Sequence, residues 1–310
     1  MKPAASAVAQ AARGSWVRRM FEEGARIKAE RGAGNVFDFT LGNPDVDPPA
    51  AVLEALARIA GENPPGAHAY MPNAGYLTAR QAVAAHLAKR TGLPFTAGHV
   101  VMTVGSAAAC NVYLRAVLDP GDEVILLAPA YSEYQFYILN HAARMVTVET
   151  DESFLPDVGR IAAAITPRTR VIIINSPNNP TGRVYPEAIL RDLGRLVSGL
   201  PHPVSVLSDE TYAPIMFDGR THPEVVTLIE PAVIAGSWSE TFAIPGERIG
   251  FLAVSPRMGD VAELMDACIF ANRILGYVNA PAIWQRVITE TLGVQPDLSL
   301  YQRRRDTMYE

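Results

Sequence analysis

From about His99 onward, short apolar runs alternate with longer stretches in which apolar residues recur every three or four positions. The short runs have the length of buried strands and the long ones the period of amphipathic helices. Their alternation is the strand and crossover-helix pattern that builds a mostly parallel sheet covered on both faces. Strands are predicted at residues 99–104, 123–127, 144–148, 171–175, 204–208, 233–236 and 249–254. Helices are predicted between them at 107–117, 133–140, 157–164 and 186–197, the last opening with Pro186 near its first turn. Upstream, residues 50–60 and 76–90 carry helical spacing and are placed as flanking helices, and a mixed-charge helix is expected over 16–31. The Gly-, Pro-, Asn- and Asp-rich segment 35–49 reads as an ordered connection, because it is short and carries Phe37, Phe39 and Leu41. Residues 301–310 look like an amphipathic helix without a breaker, so the chain looks unfinished there, and Arg303, Arg304 and Arg305 read as its solvated face. The fold class is therefore α/β, with a mostly parallel seven-stranded sheet covered by helices.

Composition narrows the partners. The 310 residues are 49% apolar, enough for one large domain and part of another. A net charge of −5 supplies no basic field for nucleic acid or anionic lipid, and no apolar run is long enough for a membrane span. The N-terminus lacks the charged tip, apolar segment and small-residue cleavage site of a leader, which points to a cytoplasmic location. Cys110 and Cys268 are far apart and without metal-ligand spacing, so they read as buried fillers in a reducing compartment, and no metal is expected.

Four motifs stand where predicted strands end. Thr103-Val-Gly-Ser-Ala-Ala108 runs from a strand through glycine into a helix, whose free N–H groups and dipole suit an anion; an ordinary strand-to-helix turn has the same form. Asn175-Ser-Pro-Asn-Asn-Pro-Thr-Gly182 sets polar side chains at the carboxyl end of an apolar strand, where ligands of parallel sheets bind, although its residues also favour turns. Val206-Leu-Ser-Asp-Glu-Thr-Tyr212 puts an acid directly after a strand, to pair with a protonated ring nitrogen or to cap a helix. Gly236-Ser-Trp-Ser-Glu-Thr-Phe-Ala-Ile-Pro-Gly-Glu-Arg-Ile-Gly250 offers two hydroxyls and an arginine able to clamp a phosphate.

Together and in this order, the four motifs resemble the class I and II aminotransferases, fold-type I enzymes related to aspartate aminotransferase, from about Asp38 to Ala280. The resemblance implies pyridoxal phosphate as cofactor, with amino acids and 2-oxo acids as substrates. It implies that Ser106 and Ala107 donate to the cofactor phosphate, that Ser237, Ser239 and Arg248 complete its cup, and that Tyr131 stacks on the ring. Asn179 and Tyr212 are implied to bond the ring hydroxyl and Asp209 the ring nitrogen. Gly42, in Leu41-Gly-Asn-Pro44, corresponds to a glycine whose backbone touches the substrate carboxylate. Tyr70 corresponds to a tyrosine that reaches the phosphate of the neighbouring subunit, so a homodimer with shared active sites is implied. On the same basis residues 1–48 form an N-terminal arm and part of a small domain. Residues 49–290 form the large cofactor-binding domain, and 291–310 begin a C-terminal small domain that is incomplete here.

The chain departs from the family at one chemical position. The Schiff-base lysine should stand at 240, where this sequence has Glu240, and its only lysines are Lys2, Lys28 and Lys89, none placed as a substitute. The resemblance thus implies an aminotransferase by descent whose cofactor is held without a covalent bond. Two alternatives stay open: a non-catalytic or lysine-free protein holding pyridoxal or pyridoxamine phosphate, and a lyase or dehydratase on the same fold. The family's carboxylate-binding arginine has no assignable counterpart, and Arg273 reads as a surface arginine.

Overall fold

The computed structural model describes residues 2–39, 42–44 and 46–310, with no side-chain description for residues 6, 13 and 15–18. Seven strands form one sheet: β1 (Val100–Thr103), β2 (Glu123–Ala128), β3 (Arg144–Glu149), β4 (Thr169–Asn175), β5 (Ser205–Asp209), β6 (Ala232–Ser237) and β7 (Gly250–Val254). Their order is β1-β7-β6-β5-β4-β2-β3. β7 is antiparallel to both neighbours, and the other six share one direction. Every strand read from the apolar pattern is present, its ends moved by two residues or fewer.

Successive strand side chains point to opposite faces, and the core divides accordingly. Ile172 and Ile174 of β4, Val206 of β5, Ile234 of β6 and Ala253 of β7 join one apolar cluster. Val171 and Ile173, Leu207, Val233 and Leu252 join the other. A half-exposed sheet would alternate apolar with polar; here both alternating sets are apolar, because helices cover both faces. On the first face lie α2 (Ala50–Glu62), α3 (Leu77–Thr91), α6 (Val158–Ala164), α7 (Glu187–Ser198), the short α8 (Val225–Leu228) and α10 (Ala282–Thr291). On the second lie α4 (Gly105–Val117), α5 (Tyr134–Leu139) and α9 (Val261–Ile274). Each fully buried Ile, Val or Leu contributes about 1.5–3 kcal/mol. The remaining helices are α1 (Ala5–Arg31) and α11 (Ser299–Tyr309).

α8, α9 and α10 are additions to the elements read from the pattern, and α1 begins eleven residues before its expected start at 16. Both cysteines are buried, as expected of apolar fillers. Two expectations need correction. Phe37 and Phe39 do not anchor the 35–49 connection to the core: they are 87% and 78% exposed, with no element covering them among the described residues, and Leu41 lies outside those residues. The arginine run is not one solvated face either. Arg303 is exposed, but Arg305 turns inward, its guanidinium donating to both carboxylate oxygens of Asp218 at 2.8 and 2.9 Å and lying 5.1 Å from the Phe217 ring centroid. Consecutive helical residues point about 100° apart, so three in a row cannot share one face.

Candidate active site

Because six strands share a direction, their carboxyl ends line one edge of the sheet, and antiparallel β7 starts at that same edge. Asn175 on β4 pairs with Asp209 on β5, while Ser237 on β6 pairs with Gly250 on β7, which also pairs with Thr103 on β1. The four motifs, scattered in sequence, therefore meet along one rim.

At the β4–β5 part of the rim, Asp209 is 7% exposed. One carboxylate oxygen accepts from the Tyr134 hydroxyl at 2.8 Å, and the other from the Thr211 hydroxyl at 2.8 Å and backbone N–H at 3.1 Å. Burial pushes its carboxyl above the usual range, and these hydrogen bonds oppose the push. Asn175 ties the two strand ends together: its amide donates to the Asp209 carbonyl at 3.0 Å, and its side-chain oxygen accepts from the Asn179 backbone at 2.7 Å. The Asn179 amide in turn donates to the Tyr212 hydroxyl at 3.3 Å. Burial, then the charge of Glu240, pushes the Tyr212 phenol up to about 12. Tyr131 is 38% exposed, edge-on to Tyr134 with ring centroids 5.4 Å apart.

At the β1–β7–β6 part, α4 begins at Gly105 with φ +82, and its first-turn N–H groups, including those of Ser106 and Ala107, have no partners within the helix. A Cβ on Gly105 would sit 2.6 Å from Nη2 of Arg248, so only glycine lets this guanidinium reach the helix start. Arg248 itself holds φ +53, an uncommon conformation for a side chain of its size, and donates to the Pro245 carbonyl at 2.9 Å. Ser237 and Ser239 join through their hydroxyls at 2.8 Å, and the Ser239 N–H donates to the Ser237 hydroxyl at 2.9 Å. Two hydroxyls, a guanidinium and a helix N-terminus thus converge, a donor set made for a phosphate.

Glu240 lies between these two ends, half-buried in a turn closed by Phe242 N–H to Trp238 O at 3.0 Å and Ile244 N–H to Ser239 O at 3.0 Å. Its carboxylate makes no hydrogen bond or ion pair among the described residues. Burial raises its pKa, and the charge of Arg248 opposes that. Gly42 lines a cleft of about 750 Å³ together with Asn179, Tyr212, Arg220 and Arg305. Of the residues singled out in the sequence, Tyr70 alone stands apart: it is 95% exposed and forms no hydrogen bond among the described residues. Tyr134 went unread, and Asn175 and Thr211, though part of the quoted motifs, were given no role of their own. Tyr134 stands three residues after Tyr131, and Thr211 two after the acid at the spacing of an Asx turn, so weak local signals existed for both.

The family described as Aminotransferase class I and II matches residues 34–307. A probable aspartate/prephenate aminotransferase of Thermus aquaticus is 34% identical over 290 residues, covering 92% of this chain and 74% of that protein. The chain belongs to the class I and II aminotransferases. The solved structures agree with this. A crystal structure of an amino transferase from Eubacterium rectale superposes with a TM-score of 0.91 at 35% identity, over 95% of this chain and 76% of that one. The aspartate aminotransferase of Thermus thermophilus with maleate gives 0.79 at 31% identity, over 94% and 70%.

Pyridoxal phosphate is the cofactor of this family, and the residues present fit most of it. Asp209 is a buried carboxyl with no cationic partner among the described residues, which a protonated ring nitrogen would complete. The cradle beside Gly105 fits the phosphate. No lysine lines this rim among the described residues: residue 240 is glutamate, Lys28 is paired with Asp38 at 2.7 Å, and Lys2 and Lys89 are exposed.

Proposed function

We propose that this chain is an amino-acid aminotransferase by descent that holds pyridoxal phosphate without a covalent bond and does not turn over unaided. The observation that carries the reading is the convergence on one rim of Asp209, the Asn179–Tyr212 pair, and the Ser237, Ser239 and Arg248 cluster at the start of α4, with an unpaired carboxylate between them. When bound, the cofactor supplies an electron sink for the bonds at an amino acid's α-carbon. Asp209 would keep the ring nitrogen protonated, its own charge held in place by Tyr134 and Thr211. Tyr131 would cover the ring, Asn179 and Tyr212 would orient its hydroxyl, and Ser106, Ala107, Ser237, Ser239 and Arg248 would bind the phosphate. Gly42 would meet the substrate carboxylate. What residue 240 lacks is a basic nitrogen to take and return the α-proton.

Amino acids and 2-oxo acids are the proposed substrates, and the names of the relatives favour an acidic donor such as aspartate. The exposed Tyr70, Phe37 and Phe39 support a homodimer in which Tyr70 completes the partner's site. A cytoplasmic location is consistent with the finding that no helix among the described residues is long and apolar enough to cross a membrane. The proposed division keeps 1–48 as arm and small-domain segment, 49–290 as the cofactor domain, and 291–310 as the start of a second small-domain segment. The test is borohydride reduction after pyridoxal phosphate loading, followed by intact mass. This chain should gain no adduct and the Glu240→Lys variant one. A variant that binds the cofactor yet gains no adduct would refute the placement of residue 240. The unpaired Glu240 carboxylate favours one second reading, a lysine-free protein built to hold the cofactor.

A further inference from the structure

We infer that Glu240 makes this pocket select the aminated form of the cofactor, pyridoxamine phosphate, over the aldehyde form. The inference rests on the cofactor reading above and adds what the pocket distinguishes. The phosphate donors and Asp209 treat all forms of the cofactor alike, because the forms differ only at the carbon that the family's lysine would bond. Position 240 is thus where discrimination arises, and its side chain is an acceptor with no donor among the described residues. The positive group acting on it, Arg248, already donates to the Pro245 carbonyl and to the Val104 carbonyl just before α4.

An aldehyde oxygen facing Glu240 sets acceptor against acceptor, with no lysine to capture the carbonyl. A protonated aminomethyl group instead donates to the carboxylate and supplies the cation that a half-buried acid lacks. Burial, and after it the charge of Glu240, raises the Tyr212 phenol, which stays neutral and offers the carboxylate no cation. The replacement of a basic by an acidic residue at this one position reverses the charge the pocket prefers, while the rest of the site is retained.

Calorimetric titration of this chain with three ligands tests the inference: pyridoxamine phosphate, pyridoxal phosphate and pyridoxine phosphate, whose hydroxymethyl group is neutral. Pyridoxamine phosphate should bind at least about tenfold tighter than either pyridoxal phosphate or pyridoxine phosphate, the scale of one charge-assisted hydrogen bond. The preference should fall below about threefold in Glu240→Gln, which keeps the size of the side chain but not its charge. Equal binding of amine and alcohol by the unaltered chain overturns the inference while leaving the cofactor site standing. A preference that survives in Glu240→Gln overturns it too. If none of the three ligands binds, the cofactor reading itself falls, and the inference with it.

Discussion

Gly250 opens β7 at the point where three backbones meet, and adding one methyl group there tests how tightly the rim is built. A Cβ at residue 250 would lie 2.5 Å from the Gly236 carbonyl oxygen, 2.7 Å from the carbonyl carbon of Gly105 and 2.8 Å from the Cα of Gly105. Ordinary Cβ contacts begin at 3.4 Å, so the shortfall against the Gly236 oxygen is 0.9 Å. All three obstacles are backbone atoms, and no side-chain rotation relieves them. Either β6 separates from β7 or the start of α4 moves off the sheet, and overpacking of this kind costs about 1–3 kcal/mol. The upper end is expected for Gly250→Ala, because β7 is bonded on both sides. Gly259, beyond the other end of β7, has nothing within 4 Å of its Cβ position, and Gly259→Ala is the control. Urea unfolding of both variants and the parent gives the comparison. Displacement of the α4 start should also weaken binding of a phosphate-bearing ligand, measured by titration. If Gly250→Ala unfolds within about 0.5 kcal/mol of Gly259→Ala, the close packing of β7, Gly236 and Gly105 is wrong as described.

Arg90 bridges Glu210, whose side chain is 3% exposed, at 3.0 Å and Glu224 at 2.7 Å. Arg90→Met should cost about 3–5 kcal/mol by leaving a buried charge unpaired, whereas Arg191→Met, in a half-exposed pair with Glu187, should cost under about 1 kcal/mol; equal unfolding midpoints would contradict this ranking. Glu240 has a pKa raised above its ordinary 4.5 by burial, so the folded chain binds its proton more tightly than the unfolded one. Stability from that proton is complete below about pH 4.5 and is lost as pH rises through the raised value. Glu240→Gln lacks this loss, and its stability advantage over the parent should grow with pH across that window and then level off. A pH-independent difference between their denaturation midpoints would refute it.

The strands were legible because each is a short apolar run buried on both faces, a pattern that needs no knowledge of its neighbours. α9 and α10 were not read: they follow the last motif, and neither start has a side-chain cap. Asn179, Asp209 and Arg248 could be singled out because they stand at or near strand ends, and the structure brings them to one rim. The site was illegible where roles depend on distant pairing: Tyr134 acquires its role from an acid 75 residues away, which only the order β5-β4-β2 brings close. The fit of Gly105 against Arg248 is likewise a property of three-dimensional approach. Arg305 was misread because its partner, Asp218, lies 87 residues earlier.

The turn that carries residue 240 is closed by main-chain hydrogen bonds from Phe242 to Trp238 and from Ile244 to Ser239, and the Glu240 side chain takes no part in them. The backbone of the turn therefore does not depend on what stands there. A lineage can exchange the reactive group at this position without rebuilding the turn, and the stability at stake is only the cost of burying the group itself.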